Sequence, residues 1–408
     1  MHRPLAAAAL ILVITGCTAT TPSPAGRTQA PTARAEAAPP FEIVAGGGTD
    51  AFAGKAIDRK LTGAVRDLEL APDGTVNLLI SSDGPDQLQR ITPDGTLTKI
   101  DLDYAQNIGR QIAVGPDGST YVNLNVGRAS RDAVYRINPD GSRRPVIGYD
   151  AAVAGIDDSP GRATGKFTAL TIDAEGRLVF AADVTKSGKA GTVMRRVEAD
   201  GSVRTIAGKP AEFTTLDAAK AASAAALHPS ASGAPLDWAT TAAVHVDELA
   251  TQPDGTIALE VIGSDSDMVA ESILTLTPRG ELSELAASQL RGMGGEPVSP
   301  APFTREGTVE EIGVLYNGMS AADGLLAVST TKRPPEDTSR YYNGRYTPGQ
   351  QAILRKARGK AIRLIRPDGS FSTAALGADF ALHGGYLYVV CRDFLANELV
   401  LGRVKIPA

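Results

Sequence analysis

Residues 68–100 read LELAPDGTVNLLISSDGPDQLQRITPDGTLTKI, short β-like runs interrupted twice by Pro-Asp-Gly. Pro fixes φ, Asp bonds back to its own backbone and Gly accepts a positive φ, so the triplet builds a tight reversal between antiparallel strands. It stands at Pro72-Asp73-Gly74, Pro93-Asp94-Gly95, Pro116-Asp117-Gly118, Pro139-Asp140-Gly141, Pro253-Asp254-Gly255 and Pro367-Asp368-Gly369. Weaker copies are Ala174-Glu175-Gly176, Ala199-Asp200-Gly201, Pro278-Arg279-Gly280 and Ala322-Asp323-Gly324. Hairpins repeated at intervals of tens of residues indicate units that bury their faces only against one another.

Aligned on the turns, the first unit has four strands: 65–71, 75–81, 87–92 and 96–100. The order returns at 110–115, 119–125, 133–138 and 142–147, and again at 168–173, 177–182, 192–198 and 202–207. A fourth unit is 247–252, 256–262, 272–277 and 281–285, and a fifth is 316–321, 325–330, 361–366 and 370–374. The sixth, 379–382, 386–391 and 398–406, lacks a fourth strand. Phe41-Glu42-Ile43-Val44-Ala45-Gly46 resembles the outer strand Val203-Arg204-Thr205-Ile206-Ala207-Gly208 and supplies the missing one. An N-terminal strand that completes the last blade removes an exposed edge. The expected fold is all-β, a six-bladed β-propeller over 41–408.

The phrases "LxLAPDGTVNLLIS…LQRITPDGTLTKI" and "VMRRVEADGSVRTIAGKPA", with the Ala-rich stretch "AAKAASAAAL", resemble the NHL-repeat family of β-propellers and its bacterial secreted members. The resemblance covers most of 41–408 and is strongest in the first four blades. It implies the fold; such propellers serve as binding platforms, sensors and enzymes, so it does not fix the function.

The start of the chain gives an address. Met1-His2-Arg3-Pro4 is a short basic start, Leu5–Ile14 is apolar, and Ile14-Thr15-Gly16-Cys17 follows. About ten apolar residues are too few to span a bilayer, which needs about 20, so 1–16 reads as a signal peptide. The tetrapeptide resembles the bacterial lipobox, which implies a diacylglyceryl-Cys17 and a protein held outside the cytoplasm on a bacterial membrane; the alternative is an ordinary secretory signal with a chance Cys. Residues 17–40, rich in Thr, Pro and Ala, cannot form a core and read as a disordered tether, roughly 75 Å long if extended. Cys391, the other cysteine, is expected to be a small buried apolar residue.

In a four-strand blade the first-to-second and third-to-fourth turns share one face, and every Pro-Asp-Gly belongs to that class. The long insertions 148–166, 208–246, 286–315 and 331–360 belong to the other face, where long loops on a rigid scaffold collect function; drift is the alternative. Among them 331–360 carries eight Lys or Arg against two acids and sets Tyr341, Tyr342 and Tyr346 beside Arg340 and Arg345. Arg and Tyr together suit an anionic polymer, a sugar, a protein partner or anionic lipid headgroups, although a merely solvated loop fits as well. The net charge of −5 argues against nucleic acid. Trp238, the single tryptophan, lies in the 208–246 insertion as a binding anchor or a packing plug.

Register places Asp67, Gln111, Ala169, Glu248, Asn317 and a residue near Asp379 at equivalent heights at the channel mouth. Asp67, Gln111, Glu248 and Asn317 could hold Ca²⁺, which takes oxygen ligands, or line a hydrated channel. Propeller lactonases resemble the first arrangement. No Gly-x-Ser-x-Gly, His-Glu-x-x-His or phosphate-binding glycine loop occurs; His228 and His245 fall in one insertion and His383 in a turn. The sequence thus points to a monomeric binding or scaffold module for an envelope component or protein, more than to an enzyme, with no cofactor required. The alternative is a channel-site metal-dependent hydrolase of lactones or sugar esters.

Overall fold

The computed structural model describes residues 41–49, 54–81, 85–102, 111–126, 131–148, 166–186, 189–207, 245–264, 268–287, 291–292, 315–330, 360–367, 371–377, 379–393 and 398–406. Each described Pro-Asp-Gly turn is wired alike. At the first, Gly74 N–H donates to Ala71 O, Ala71 N–H to Thr75 O and Thr75 N–H to Asp73 Oδ1, each at 2.8 Å, with Gly74 at φ +84°. The set recurs around Asp94, Asp117, Asp140, Asp200 and Asp254. Where Glu175 or Arg279 replaces the Asp, the head of the turn takes over. Asp173 Oδ1 accepts from Glu175 and Arg177 N–H at 3.0 and 2.9 Å, and Thr277 Oγ1 from Glu281 N–H at 3.1 Å.

The turns join strands in antiparallel sheets. β1 (Phe41–Gly46) precedes a first blade of β2 (Ala64–Leu70), β3 (Val76–Ser81), β4 (Gln87–Ile91) and β5 (Leu97–Asp101). The second holds β6 (Ile112–Val114), β7 (Thr120–Val126), β8 (Arg131–Ile137) and β9 (Arg143–Gly148). The third holds β10 (Lys166–Ile172), β11 (Leu178–Lys186), β12 (Lys189–Val197) and β13 (Val203–Ala207). The fourth holds β14 (His245–Thr251), β15 (Ile257–Ser264), β16 (Met268–Leu276) and β17 (Leu282–Ala287), with the short β18 (Arg291–Gly292) on β16. The fifth holds β19 (Leu315–Ala322), β20 (Leu325–Thr330), β21 (Lys360–Ile365) and β22 (Phe371–Gly377). The sixth is ordered β1-β25-β24-β23, from β23 (Asp379–His383), β24 (Tyr386–Asp393) and β25 (Glu398–Lys405). The protein is a six-bladed β-propeller, and an N-terminal strand closes its last blade. Among the described residues no helix is long and apolar enough to cross a membrane.

The core is six apolar clusters, one at each junction between neighbouring blades, including the junction of the sixth blade with the first. That last cluster packs Ala45, Tyr388, Val390 and Leu401 against Leu68, Val76, Leu78 and Ile91. The connector after β1 reinforces it: Ala56 N–H donates to Gly95 O at 2.8 Å and Leu399 N–H to Leu61 O at 3.0 Å, so 54–63 is bonded to both blades. Cys391 is buried, as its sequence context implies, and burial pushes its thiol up to about 12.

β1 seats on β25 through Phe41, 4% exposed, whose ring lies against Gly402 so closely that a Cβ there would approach it to 2.2 Å. Glu42 accepts from Arg403 Nε at 2.8 Å beside it. Phe41→Ala empties this seat, so the variant should lose about 3 kcal/mol in denaturant unfolding; a loss below 1 kcal/mol would mean that the closing strand is not part of the cooperative core.

Candidate functional site at the channel mouth

β2, β10 and β14 lie innermost, and each carries a register shift at the same height: between Val65 and Asp67, Phe167 and Ala169, and Val246 and Glu248. β19 carries a longer one between Leu315 and Met319. A bulge re-aims the side chain that follows it. Here Asp67 and Glu248 follow the bulges and line a cavity on the axis, together with Gln111, Leu170, Gly318 and Asp379, so every blade contributes. Arg66 and Glu69 complete its polar wall. The volume is about 30 Å³, room for one or two waters or an ion and too little for an organic substrate.

Backbone and side chain bind this wall across blades. Asp67 Oδ1 accepts from Leu68 N–H at 2.8 Å and Oδ2 from Ile112 N–H at 2.6 Å, tying the first blade to the second. Gln111 Nε2 donates to Asp247 O at 2.8 Å and ties the second to the fourth. Among the described residues its Oε1 is buried without a hydrogen-bond partner.

Enclosure by protein sets the protonation of the wall. Burial raises Asp67 to about 6, although the Ile112 and Leu68 amides oppose the shift. Burial also drives Glu69 well above the carboxylate range, with the Asp67 charge adding to it. Glu248 is raised well above it by burial, then by the charges of Asp67 and Glu260. A carboxyl whose pKa is higher folded than unfolded favours the fold at low pH and disfavours it as pH rises through the folded value. Glu69→Gln should therefore stabilise the protein at pH 8 more than at pH 5 and flatten the fall in stability between the two. Urea titrations at several pH values check this, and an unchanged or lower stability would contradict it.

His245 lies at the start of β14, two residues before Asp247, whose carbonyl binds Gln111. The sequence reading assigns it to an insertion, but β14 begins at His245, because the sheet extends beyond the apolar alternation that marks the strand. Its Nδ1 lies 3.1 Å from Asp183 Oδ2 and its Nε2 2.8 Å from Asp247 Oδ1, while Thr192 Oγ1 donates to Asp183 Oδ1 at 2.7 Å. The bonds to Asp183 and Asp247 raise His245 to about 9 against the effect of burial. Burial works to raise Asp183, but His245 and Thr192 bring it below its usual value. The imidazolium is a clamp between the third and fourth blades, with both nitrogens engaged. Its contribution is complete below pH 6.5, where the unfolded imidazole is also charged, and is lost as pH rises through about 9. His245 is 39% exposed at the side chain, so His245→Ala should cost about 1 kcal/mol at pH 6 and little at pH 10; equal costs at both would refute the charged clamp.

The structure brings Asp67, Gln111 and Glu248 to one cavity. Asn317 belongs to β19, where Gly318 and Met319 form the wall; the side chain of Asn317 lies outside the described residues. So do Cys17, Trp238, Arg340, Tyr341, Tyr342, Arg345 and Tyr346. Sequence reasoning passed over Glu69, although it follows Asp67 by two and so shares its side of a strand. It also passed over Asp183, 62 residues from His245, for which no local signal exists. Among the described residues no three His, Cys, Asp or Glu groups are placed to hold a metal ion.

No protein-family model matches the chain, and no curated protein matches it. Solved structures with a similar path include selenomethionine-substituted virginiamycin B lyase from Staphylococcus aureus, 11% identical, covering 85% of this chain and 99% of that one at a TM-score of 0.42. An oligogalacturonate lyase in complex with manganese is 10% identical over 83% of this chain and 76% of its own, at 0.40. Likenesses this slight transfer no residue and no chemistry.

Proposed function

We propose that the protein is a noncatalytic binding module of the NHL-repeat propeller type, held outside the cytoplasm on a bacterial membrane through diacylglyceryl-Cys17. Its ligand, an envelope component or a protein partner, lies across the channel mouth on the face opposite the Pro-Asp-Gly turns. The observation that carries this reading is the division of the connections. Described first-to-second and third-to-fourth turns are tight, whereas the strand ends that lead into and out of 149–165, 208–244, 293–314 and 331–359 lie at the other face, where Asp67 and Glu248 line the axial cavity. A cavity of about 30 Å³ also suits recognition above the mouth better than chemistry within it. β1 begins at the turn end, where Ile406 N–H donates to Gly385 O at 2.9 Å, so the chain that follows Cys17 enters the ring on the turn face.

Replacing 331–360 by a short turn should leave the circular dichroism and melting temperature nearly unchanged and abolish crosslinked capture from a bacterial envelope fraction; undiminished capture would overturn the assignment. Palmitate labelling should vanish in Cys17→Ala, and an unlabelled wild type would remove the anchor.

A second reading, a metal-dependent hydrolase of lactones or sugar esters, is favoured by one observation, the unpartnered Gln111 Oε1 among carboxylates. Oxygen donors of this kind suit Ca²⁺, which would supply Lewis acidity at the mouth, with Asp67, Gln111 and Glu248 to hold it. As placed, the acidic groups do not converge as ligands. Added Ca²⁺ should raise the melting temperature at pH 8 on this reading, reversed by EDTA; no shift at millimolar Ca²⁺ would end it.

A further inference from the structure

The turn face is not featureless. At the seam where the closing blade meets the first, a half-open cleft of about 550 Å³ lies between the two sheets, within the roughly 300–1,000 Å³ of small-ligand pockets. The sixth blade gives one wall. There Tyr388, Arg403 and Glu42 form a row across β24, β25 and β1 by strand register. Arg403 donates from Nε to Glu42 Oε2 at 2.8 Å, bonds Tyr388, and lies over the Tyr386 ring at 4.5 Å from its centre. The first blade and the connector give the other wall. Lys55 Nζ is fixed by Asp94 O at 2.6 Å and Oδ2 at 2.9 Å, and Ile57 beside it is 47% exposed, the single exposed large hydrophobic among the described residues.

Two properties restrict what fits. The cations in the cleft are matched in place, Arg403 by Glu42 and Lys55 by Asp94, so an anionic ligand would have to break a pair, and the remaining acid of the wall, Asp73, already accepts the Thr75 amide of its own turn. The lining also alternates apolar surface, from Ile43, Val44, Ile57 and Tyr386, with fixed donors and acceptors. A ligand with no net charge, apolar C–H patches and many hydroxyls answers both features, because its C–H faces cover the apolar patches while its hydroxyls meet the amphipathic aromatic and charged groups. We propose that this cleft binds a neutral oligosaccharide of two or three rings, at a site separate from the channel mouth.

Isothermal titration of the full chain with maltotriose, cellotriose, N,N′,N″-triacetylchitotriose and a trigalacturonate should give binding to at least one of the neutral three. Affinity should fall at least tenfold in Ile57→Asp and in Tyr386→Ser, and be unchanged in Glu248→Gln. Ile57 is exposed, so its variant leaves the core untouched, and a matching melting temperature confirms that. No heat from any neutral sugar, preference for the charged one, or binding that survives both cleft substitutions would overturn the proposal. Loss in Glu248→Gln would move the site to the channel.

Discussion

The pairing of β1 with β25 is the constraint on which the rest depends. Every other blade is built from four consecutive strands, but the sixth takes its outer strand from the other end of the chain, 361 residues away at the Glu42–Arg403 pair. Without it, Val400, Leu401 and Val404 would face water along an open edge, and the cluster that joins the sixth blade to the first would lose Ala45. A ring has no free end only if each junction is closed. Closure of the sixth therefore supports all six inner strands, whose tips meet at one axial cavity.

Much of this was legible because the turns are chemically explicit. Pro, Asp and Gly each do one job, and the wiring from Asp73 to Asp254 is nearly invariant, so strand order and blade number followed by counting. Asp67, Gln111 and Glu248 could be aligned for the same reason, since each sits a fixed distance before a turn. What could not be read depends on three-dimensional neighbours. The bulges in β2, β10 and β14 leave no mark in residue type. His245 looked like part of a loop because its partners, Asp183 and Asp247, come from a distant strand and from its own strand. In the fifth blade Ala322-Asp323-Gly324 makes a two-residue turn, with Asp323 at φ +54° and Gly324 at +75°, in place of the longer Pro-Asp-Gly geometry. Counting back from it as if it were the longer turn points to Asn317, whereas the cavity wall is Gly318 and Met319.

The two ends of the ring solve opposite electrostatic problems. On the turn face the carboxylates of Asp94 and Asp140 are open to solvent, and bonds from the Thr92 and Ser142 hydroxyls, joined by backbone amides, hold them below the usual carboxylate range. At the axis Asp67, Glu69 and Glu248 are enclosed together, and the charged form is disfavoured. Carboxyl side chains thus form turns at one end and are pushed toward the neutral form at the other. The cleft at the seam is a third environment, in which Arg403 and Lys55 are each held by an acid.

Native-state hydrogen exchange tests the closure account most directly. If β1 completes the ring, the amides that pair Phe41–Gly46 with Val400–Val404 should open only with the global unfolding of β24 and β25, at the same free energy. Exchange of those β1 amides orders of magnitude faster than the β24–β25 ladder would show that the ring is held shut by something else.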